Sequence, residues 1–447
     1  MSNLNQRVLR VQPREIGLVL VLGFLLFGNS LARQVSGIVA VSGFLNTSSV
    51  NSMLLVMGID YALVLLVGGL QSLIVDRFNR LRLMAGVTLA FALVFVILRV
   101  MFAVGAPGWL NYSVMYLIAE QQLVLFPVIF WVLANDIFNF AQAQRLFPLI
   151  ASWSFVGKLA GIGVAWISPK LFGWIGAQSE EILLLNALIY VVGFLLVIGG
   201  LRTVRVRSTV QQKESFKENL TEGWDFVQGI ASFRFLMLAI IALAVADTII
   251  EFRFLVVTDA LFVGQSAYQT FYSLYRLAAT VLGFLVQTFV TSRLMNRMQI
   301  KNIFLIFPLV VLLGAGGAIA SAGLWAILGA MLTLKLVRET VDDSGRKSIQ
   351  SLVPEERRGR VSTFIDNYLP AAGTILACLL TGAIVVAGEQ IGRDLHLIYL
   401  AIAFLCGAFA LWAVLRMRKV YESSLLNWRL KRRQRVSDTL VRKITDL

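Results

Sequence analysis

Residues 323–347 read GLWAILGAMLTLKLVRETVDDSGRK. The stretch opens as an apolar helix and then carries Lys335, Arg338, Glu339, Asp342 and Arg346. Spacings of three or four stack such side chains on one face of an α-helix. At about 1.5 Å rise per residue, Lys335 lies roughly 18 Å from the helix start, near the middle of a hydrocarbon core about 30 Å thick. A charge at that depth costs roughly 2.5–3.5 kcal/mol to insert, so the stripe is expected to face water, a partner or a ligand. Two arrangements meet that demand. Either the stripe lines an aqueous cavity for an anion, or Lys335 and Glu339 form an internal ion pair that pins helices together. The pair would leave Arg338 over, which favours the cavity.

The rest of the chain fits a membrane setting. Of 447 residues, 58% are hydrophobic and 15% charged, with a mean hydropathy of +0.79. Soluble domains run nearer about 45–50% and 25%. Apolar runs of about 20 residues place twelve spans near 15–40, 50–75, 83–104, 111–135, 147–168, 182–201, 233–257, 267–292, 302–320, 323–344, 361–387 and 396–416. The first follows a basic leader (Arg7, Arg10, Arg14) without a small-residue cleavage pattern and is expected to be retained. Basic clusters fall in every second connection, at Arg77/Arg80/Arg82, Arg145, Arg202/Arg205/Arg207, Arg293/Arg297/Lys301 and Arg357/Arg358/Arg360. Both termini are therefore expected in the cytoplasm. The net charge of +15 reads as topology, with anionic lipid rather than nucleic acid as its partner.

Catalytic patterns find no support. With His396 the single histidine, no metal set or Ser/His/Asp set can be assembled. There is no G-x-x-x-x-G-K-[ST] loop, so no enzyme and no cofactor are expected. Cys378 and Cys406 sit in apolar segments as small core residues, and Gly314–Gly317 reads as close helix packing.

Residues 208–232 form the longest internal connection. Phe216, Leu220, Trp224 and Val227 recur there at helical spacing among charges, which predicts an amphipathic helix on the cytoplasmic surface. The expected organisation is a six-helix bundle over 1–207, this linker over 208–232, a second bundle over 233–418, and a basic cytoplasmic tail over 419–447. The tail, with RLKRRQR at Arg429–Arg435, reads as a surface helix or as a connector to a fused or associated regulatory domain.

Intramembrane charge concentrates in spans 1, 4, 7 and 10, through Arg33, Glu120, Asp247, Glu251, Arg253 and the stripe. Spans 3, 6, 9 and 12 are nearly free of it. This resembles the major facilitator superfamily, an all-α architecture of two pseudo-symmetric six-helix bundles. There the first set lines the cavity and the second stays outside. Asp76-Arg77-Phe78-Asn79-Arg80-Leu81-Arg82 is similar to that superfamily's D-R-x-G-R-[RK] loop, with Asn79 where Gly is usual.

A narrower resemblance follows from Ala119-Glu120, Phe130-Trp131, Ala134-Asn135-Asp136 and Ala143-Gln144-Arg145. These resemble the AE…FW…AN[ED]…AKR pattern of the ATP/ADP translocase family of plastids and intracellular bacteria, and of its bacterial relatives. The family's span 1 Lys matches Arg33, its span 7 Glu and basic residue match Glu251 and Arg253, and its span 10 pattern matches Lys335, Arg338, Asp343 and Arg346. Its Ile-Asp pair in span 11 matches Ile365-Asp366. The chain departs in reading Arg33-Gln34 for Lys-Asp, and Asp343-Ser344-Gly345-Arg346-Lys347 for D-P-T-K-E. Lys158, Glu339 and Asp342 have no counterpart. The resemblance implies a nucleotide carrier, ATP/ADP exchange, and a bacterial inner membrane.

The polyphosphate of such a substrate would be clamped by Arg33, Arg253, Arg276, Lys335 and Arg338, with Glu120 and Glu251 as countercharges in the empty site. Asp76 with Arg80, and Asp136 with Arg145, are assigned to an inner gate or to ordinary loop ion pairs. Asp60, Asp247 and Asp366 either carry protons or pair with Arg276 and Lys158, and Glu339 joins this coupling set. Two other functions stay open: a proton-coupled facilitator for another organic anion, and a membrane sensor or scaffold that binds nucleotide without flux.

Overall fold

Two asparagines begin the helices on which the first half depends. The computed structural model describes residues 12–13, 15–75, 79–176, 179–201, 216–321, 323–350, 353 and 355–445. In it Asn79 caps α3, its Oδ1 accepting from Leu81 N at 3.0 Å. Its φ of −60° needs no glycine, which explains how Asn stands where the resembled loop has Gly. Asn139 opens α5 with a capping box, exchanging bonds with Gln142 at 2.9 and 3.1 Å.

The helices of the first half are α1 (Ile16–Thr47), α2 (Met53–Val75), α3 (Arg80–Ala103), α4 (Gly108–Ile137), α5 (Phe140–Ile175) and α6 (Ile182–Gly200). After α7 (Phe216–Gly229) come α8 (Ala231–Leu261), α9 (Gln265–Leu285) and α10 (Ile306–Ala320). Then follow α11 (Leu324–Val337), α12 (Leu369–Ile391) and α13 (His396–Thr445). Among the described residues there is no strand, and eleven helices are long and apolar enough to cross a membrane. α11 falls outside that set: it runs 14 residues, and Arg338 and Glu339 follow directly in the π turn after it. Helices overrun the expected spans because caps, not polarity, end them. α5 runs past residue 168 to a left-handed Gly176 with φ of 65°.

Among the described residues, three π turns depart from the regular α-helix expected of the sequence. Val286–Thr291 prolongs α9 into Ser292–Arg297. Arg338–Asp342 joins α11 to Asp343–Gln350, and Phe364–Tyr368 joins Glu355–Thr363 to α12. A π turn inserts one residue into the α repeat. The stripe beyond Arg338 is therefore rotated away from the single α-helical face expected of it.

Backbone proximity groups the chain into two units, Met1–Ser215 with Thr258–Val281, and Phe216–Val257 with Leu282–Leu447. Thr258–Val281, the end of α8 and most of α9, thus groups with the first unit rather than following the expected split. Within that unit buried Gln269 of α9 donates to Ala165 O at 2.8 Å and to Ser168 Oγ at 2.9 Å, both on α5. In the first unit α1 is the central helix, packed on α4, α5 and α6 with Leu22, Ala32, Val35 and Ile38 buried. In the second, the most apolar window of α8 is 72% buried, against 39% for α10 and α13. Leu188, Leu195, Leu313 and Leu405, on the nearly charge-free spans, are exposed as lipid-facing residues should be.

α7 is helical as expected, yet it does more than lie on a surface. Val227 is buried, and a Cβ on Gly223 would come 2.7 Å from Phe364 Cβ, so α7 packs on the π turn preceding α12. The tail forms no separate surface helix. α13 runs 50 residues without a break, about 75 Å at 1.5 Å per residue, so it must extend well beyond one bilayer.

Candidate substrate site

α1 and α5 approach so closely because α5 carries Gly157 and Gly161, one turn apart. A Cβ at either would lie 2.3 Å from Phe27 O or 2.5 Å from Leu31 O, inside contact distance. That approach sets Ser30 Oγ 2.7 Å from Ser154 Oγ. Beside the seam opens a cavity of about 230 Å³ between α1, α4 and α5. Its polar walls are Asn29, Ser30, Arg33, Gln34, Ser154 and Lys158, and Trp131 forms an aromatic wall. Pro127 also lines it. Proline has no N–H for the carbonyl four residues earlier, that of Leu123, which lines the same space.

Arg33 reaches across the cavity edge to Glu120, Nη2 to Oε2 at 3.2 Å, with side chains 14% and 25% exposed. Asp60 lies beside this pair and accepts from Gln121 Nε2 at 3.3 Å. The structure thus gathers three expected site residues, Arg33, Asp60 and Glu120. The cation beside Asp60 is Arg33, where the sequence suggested Arg276 or Lys158. Arg276 caps the ring of Tyr272 at 5.3 Å, and its Nη2 fills the space that a side chain on Gly37 would take. Behind the cavity Tyr190 donates to Asn29 Oδ1 at 2.7 Å and accepts from Gln122 Nε2 at 2.6 Å, fixing the α1 wall.

In the second unit the charges form separate groups. Arg338 donates to the buried carboxylate of Asp247 across α11 and α8. Arg346 joins two π turns, 3.0 Å from Asp342 and 3.7 Å from Asp366. The expected partners of Asp247 and Asp366, Arg276 and Lys158, are therefore replaced by arginines of the stripe itself. The rotation at Arg338–Asp342 carries Asp342 and Arg346 together, an i,i+4 pair, and Arg346 then meets Asp366. Arg253 is buried, 3.4 Å from Tyr399 OH and 3.8 Å from Asp394, which ties it to the start of α13. Glu251 is half-buried near Cys378, Lys335 is half-buried, and Glu339 is exposed.

Arg80 binds Asp136, and its expected partner Asp76 lies outside the described residues. Arg145 binds Glu15 at 2.6 Å, not Asp136. The sequence hid this because Glu15 precedes α1 by one residue and is brought over by tertiary packing. Burial opposes the charge of Glu15. Donation from Gln12 N, Gln142 and Arg145 outweighs it and holds the carboxyl below its ordinary range.

Of the residues lining the cavity only Arg33 was assigned as a site residue from sequence; Gln34, Trp131 and Lys158 are among those that escaped. A G-x-x-x-G step flanking a membrane lysine, Gly157-Lys158-Leu159-Ala160-Gly161, was the signal available for Lys158. Trp131 and Gln34 carried no signal beyond their place in the motifs.

An all-helical chain with opposed charges around a polar cavity in its membrane-spanning region is an integral membrane carrier. The fold is that of major facilitator transporters. It is similar to a point mutant of the nucleoside transporter NupG, at 15% identity and a TM-score of 0.61 over 90% of this chain and 99% of that one. It is similar to the POT family transporter PepTSo, at 13% and 0.61 over 93% and 99%. A bacterial homologue of the human lysosomal transporter Spinster gives 15% and 0.56 over 94% and 98%. No curated protein matches in sequence. The sequence model of the TLC ATP/ADP transporter family matches residues 90–322, and this chain belongs to that family of nucleotide transporters.

Proposed function

We propose that the chain exchanges ATP for ADP by alternating access, with both termini in the cytoplasm of a bacterial inner membrane. The observation that carries this reading is the Arg33–Glu120 pair at the edge of a polar cavity. A carboxylate holding a cation at an empty site is what a polyphosphate would displace, since Arg binds phosphate oxygens bidentately. Carrying an unpaired cation through an occluded state is costly, so the site moves either loaded or neutralised by Glu120. That favours exchange over net flux. Arg276 would add a second cation in the first unit; within the second unit Lys335 and Arg338 would be the phosphate-binding cations, with Asp247 playing toward Arg338 the part of Glu120. Arg253, held by Asp394 and Tyr399, and Glu251 would position α8. Arg80–Asp136 and Arg145–Glu15 would form the inner gate, and Arg346–Asp366 would couple α11 to α12. The basic connections and the tail suit anionic lipid, and the long α13 suits a cytoplasmic regulatory partner.

The test is labelled ATP uptake into proteoliposomes with and without internal ADP. Uptake that needs internal ADP supports exchange; equal uptake into empty vesicles overturns it. One observation favours a second reading, proton-coupled anion transport: two membrane carboxylates, Asp60 and Glu120, gather about the same cation, Arg33. Uptake driven by an imposed pH gradient, and indifferent to internal ADP, would select it.

A further inference from the structure

Gln34 is buried on α1, 5% exposed, in the wall of the α1–α4–α5 cavity. Its Oε1 is buried with no hydrogen-bond partner. Other buried amides of this unit are at least half satisfied. Gln122 donates to Tyr190, Asn186 to Ser36 and Gln269 to Ser168. An unsatisfied buried polar group is a standing penalty that a ligand can relieve. A Cβ on Gly161 would sit 3.0 Å from Gln34 Cβ, so the α5 backbone pins the stem and leaves only the carboxamide to adjust.

We propose that this cavity takes the base of the nucleotide, with the Gln34 carboxamide reading the base edge and Trp131 stacking on its face. The inference rests on the nucleotide-exchange reading and names the subsite that selects the base. A phosphate offers only acceptors, whereas a carboxamide offers one donor and one acceptor. Adenine presents that complement in its amino group and N7, and Gln pairs with them bidentately, whereas hypoxanthine offers only acceptors at that edge. Trp131 is half-buried and braced by Phe130 and Phe147, each with ring centroids at 5.2 Å, a fixed platform for a planar ring. At about 230 Å³ the cavity is smaller than the roughly 300–1,000 Å³ of sites enclosing a whole drug-sized ligand, so it suits one end of a nucleotide. Arg33 and Lys158 on the same walls stand where the phosphates would leave it.

The experiment is uptake of labelled ADP into ADP-loaded proteoliposomes, competed by unlabelled ADP, by inosine diphosphate or by pyrophosphate. Inosine presents an acceptor in place of adenine's amino donor. In the parent, ADP should compete at a concentration at least roughly 5-fold lower than inosine diphosphate, the lower end of what a bidentate pair discriminates. Gln34→Leu should bring that ratio close to one and leave competition by pyrophosphate unchanged. Trp131→Ala should weaken both nucleotides and spare pyrophosphate, while Trp131→Phe keeps them. Should Gln34→Leu fail to fold, Gln34→Met carries the same reading, because its side chain is of similar length and has no amide donor or acceptor. A Gln34 variant that transports with the parent's ratio, or a parent that does not distinguish the two diphosphates, overturns the base subsite alone. A parent that takes up no nucleotide sinks the exchange reading and this inference with it.

Discussion

The Ser30 hydroxyl of α1 lies 2.7 Å from the Ser154 hydroxyl of α5, and the second unit repeats the contact: Thr248 of α8 bonds Thr374 of α12 at 3.1 Å. The glycines repeat with it. Gly157 admits Phe27 O, and Gly373 admits Ile241 O, each closer than a Cβ would allow. Each unit is thus built on a tight seam between its first and fifth spans, closed by a pair of hydroxyls. In the first unit the cavity opens beside that seam.

Gly157→Leu should therefore disrupt the first unit. Its Cβ would fall 2.3 Å from a backbone oxygen that cannot move aside cheaply. The expected loss is about 1–3 kcal/mol or more, read as a lower thermal midpoint and less monodisperse protein in detergent. Gly163→Leu, with nothing within 4 Å, is the matched control and should change little.

Arg33 and Glu120 should behave as a coupled pair. Arg33→Ala is expected to reduce nucleotide uptake by roughly tenfold or more, the loss of one charge-assisted phosphate contact. Glu120→Ala should reduce exchange while strengthening retention of bound ADP, because nothing then draws the arginine back to its empty-site position. The double variant should resemble Arg33→Ala alone, a coupling of roughly 1–3 kcal/mol in a double-mutant cycle. Additive losses would contradict it.

Arg80 and Asp136 form an ion pair with side chains 11% and 9% exposed. Removing one partner leaves a buried charge and should cost about 3–5 kcal/mol, whereas Arg80→Met with Asp136→Leu should recover most of it. Thermal unfolding of the three variants measures this. A gating role adds a second expectation: the apolar double variant folds but transports slowly.

The π turn at Arg338–Asp342 sets the register between Lys335 and Arg346. Deleting Glu339, which is exposed, should restore an α repeat and swing Asp342 and Arg346 together by about 100°, parting Arg346 from Asp366. The variant should still insert, and its transport should fall to background. Retained exchange would show that the turn is incidental.

Glu15 is held below the ordinary carboxylate range in the folded chain. Its contribution is therefore present above the ordinary carboxylate pKa and is lost as pH falls through the lower folded value. The parent should lose thermal stability with acid more steeply than Glu15→Gln, measured in detergent from about pH 6 down to about pH 3, an interval that brackets that range.

Long apolar runs, the alternation of basic connections and the loading of charge onto spans 1, 4, 7 and 10 made the membrane-carrier architecture legible in the sequence. Hydrocarbon tolerates little else, so length and charge almost decide which segments span. By the same physics Arg33, Glu120 and Asp60 stood out, since a buried charge must have a reason. Their partners were not legible. Asp247 turned to Arg338, Asp366 to Arg346 and Arg145 to Glu15, because ion pairing joins residues far apart in the chain and depends on register. A π turn changes register without any sequence mark as plain as Pro or Gly. Gln34 and Trp131 are ordinary letters in apolar helices. Only the approach of α5 to α1, allowed by the absence of two side chains, turned them into walls of one cavity.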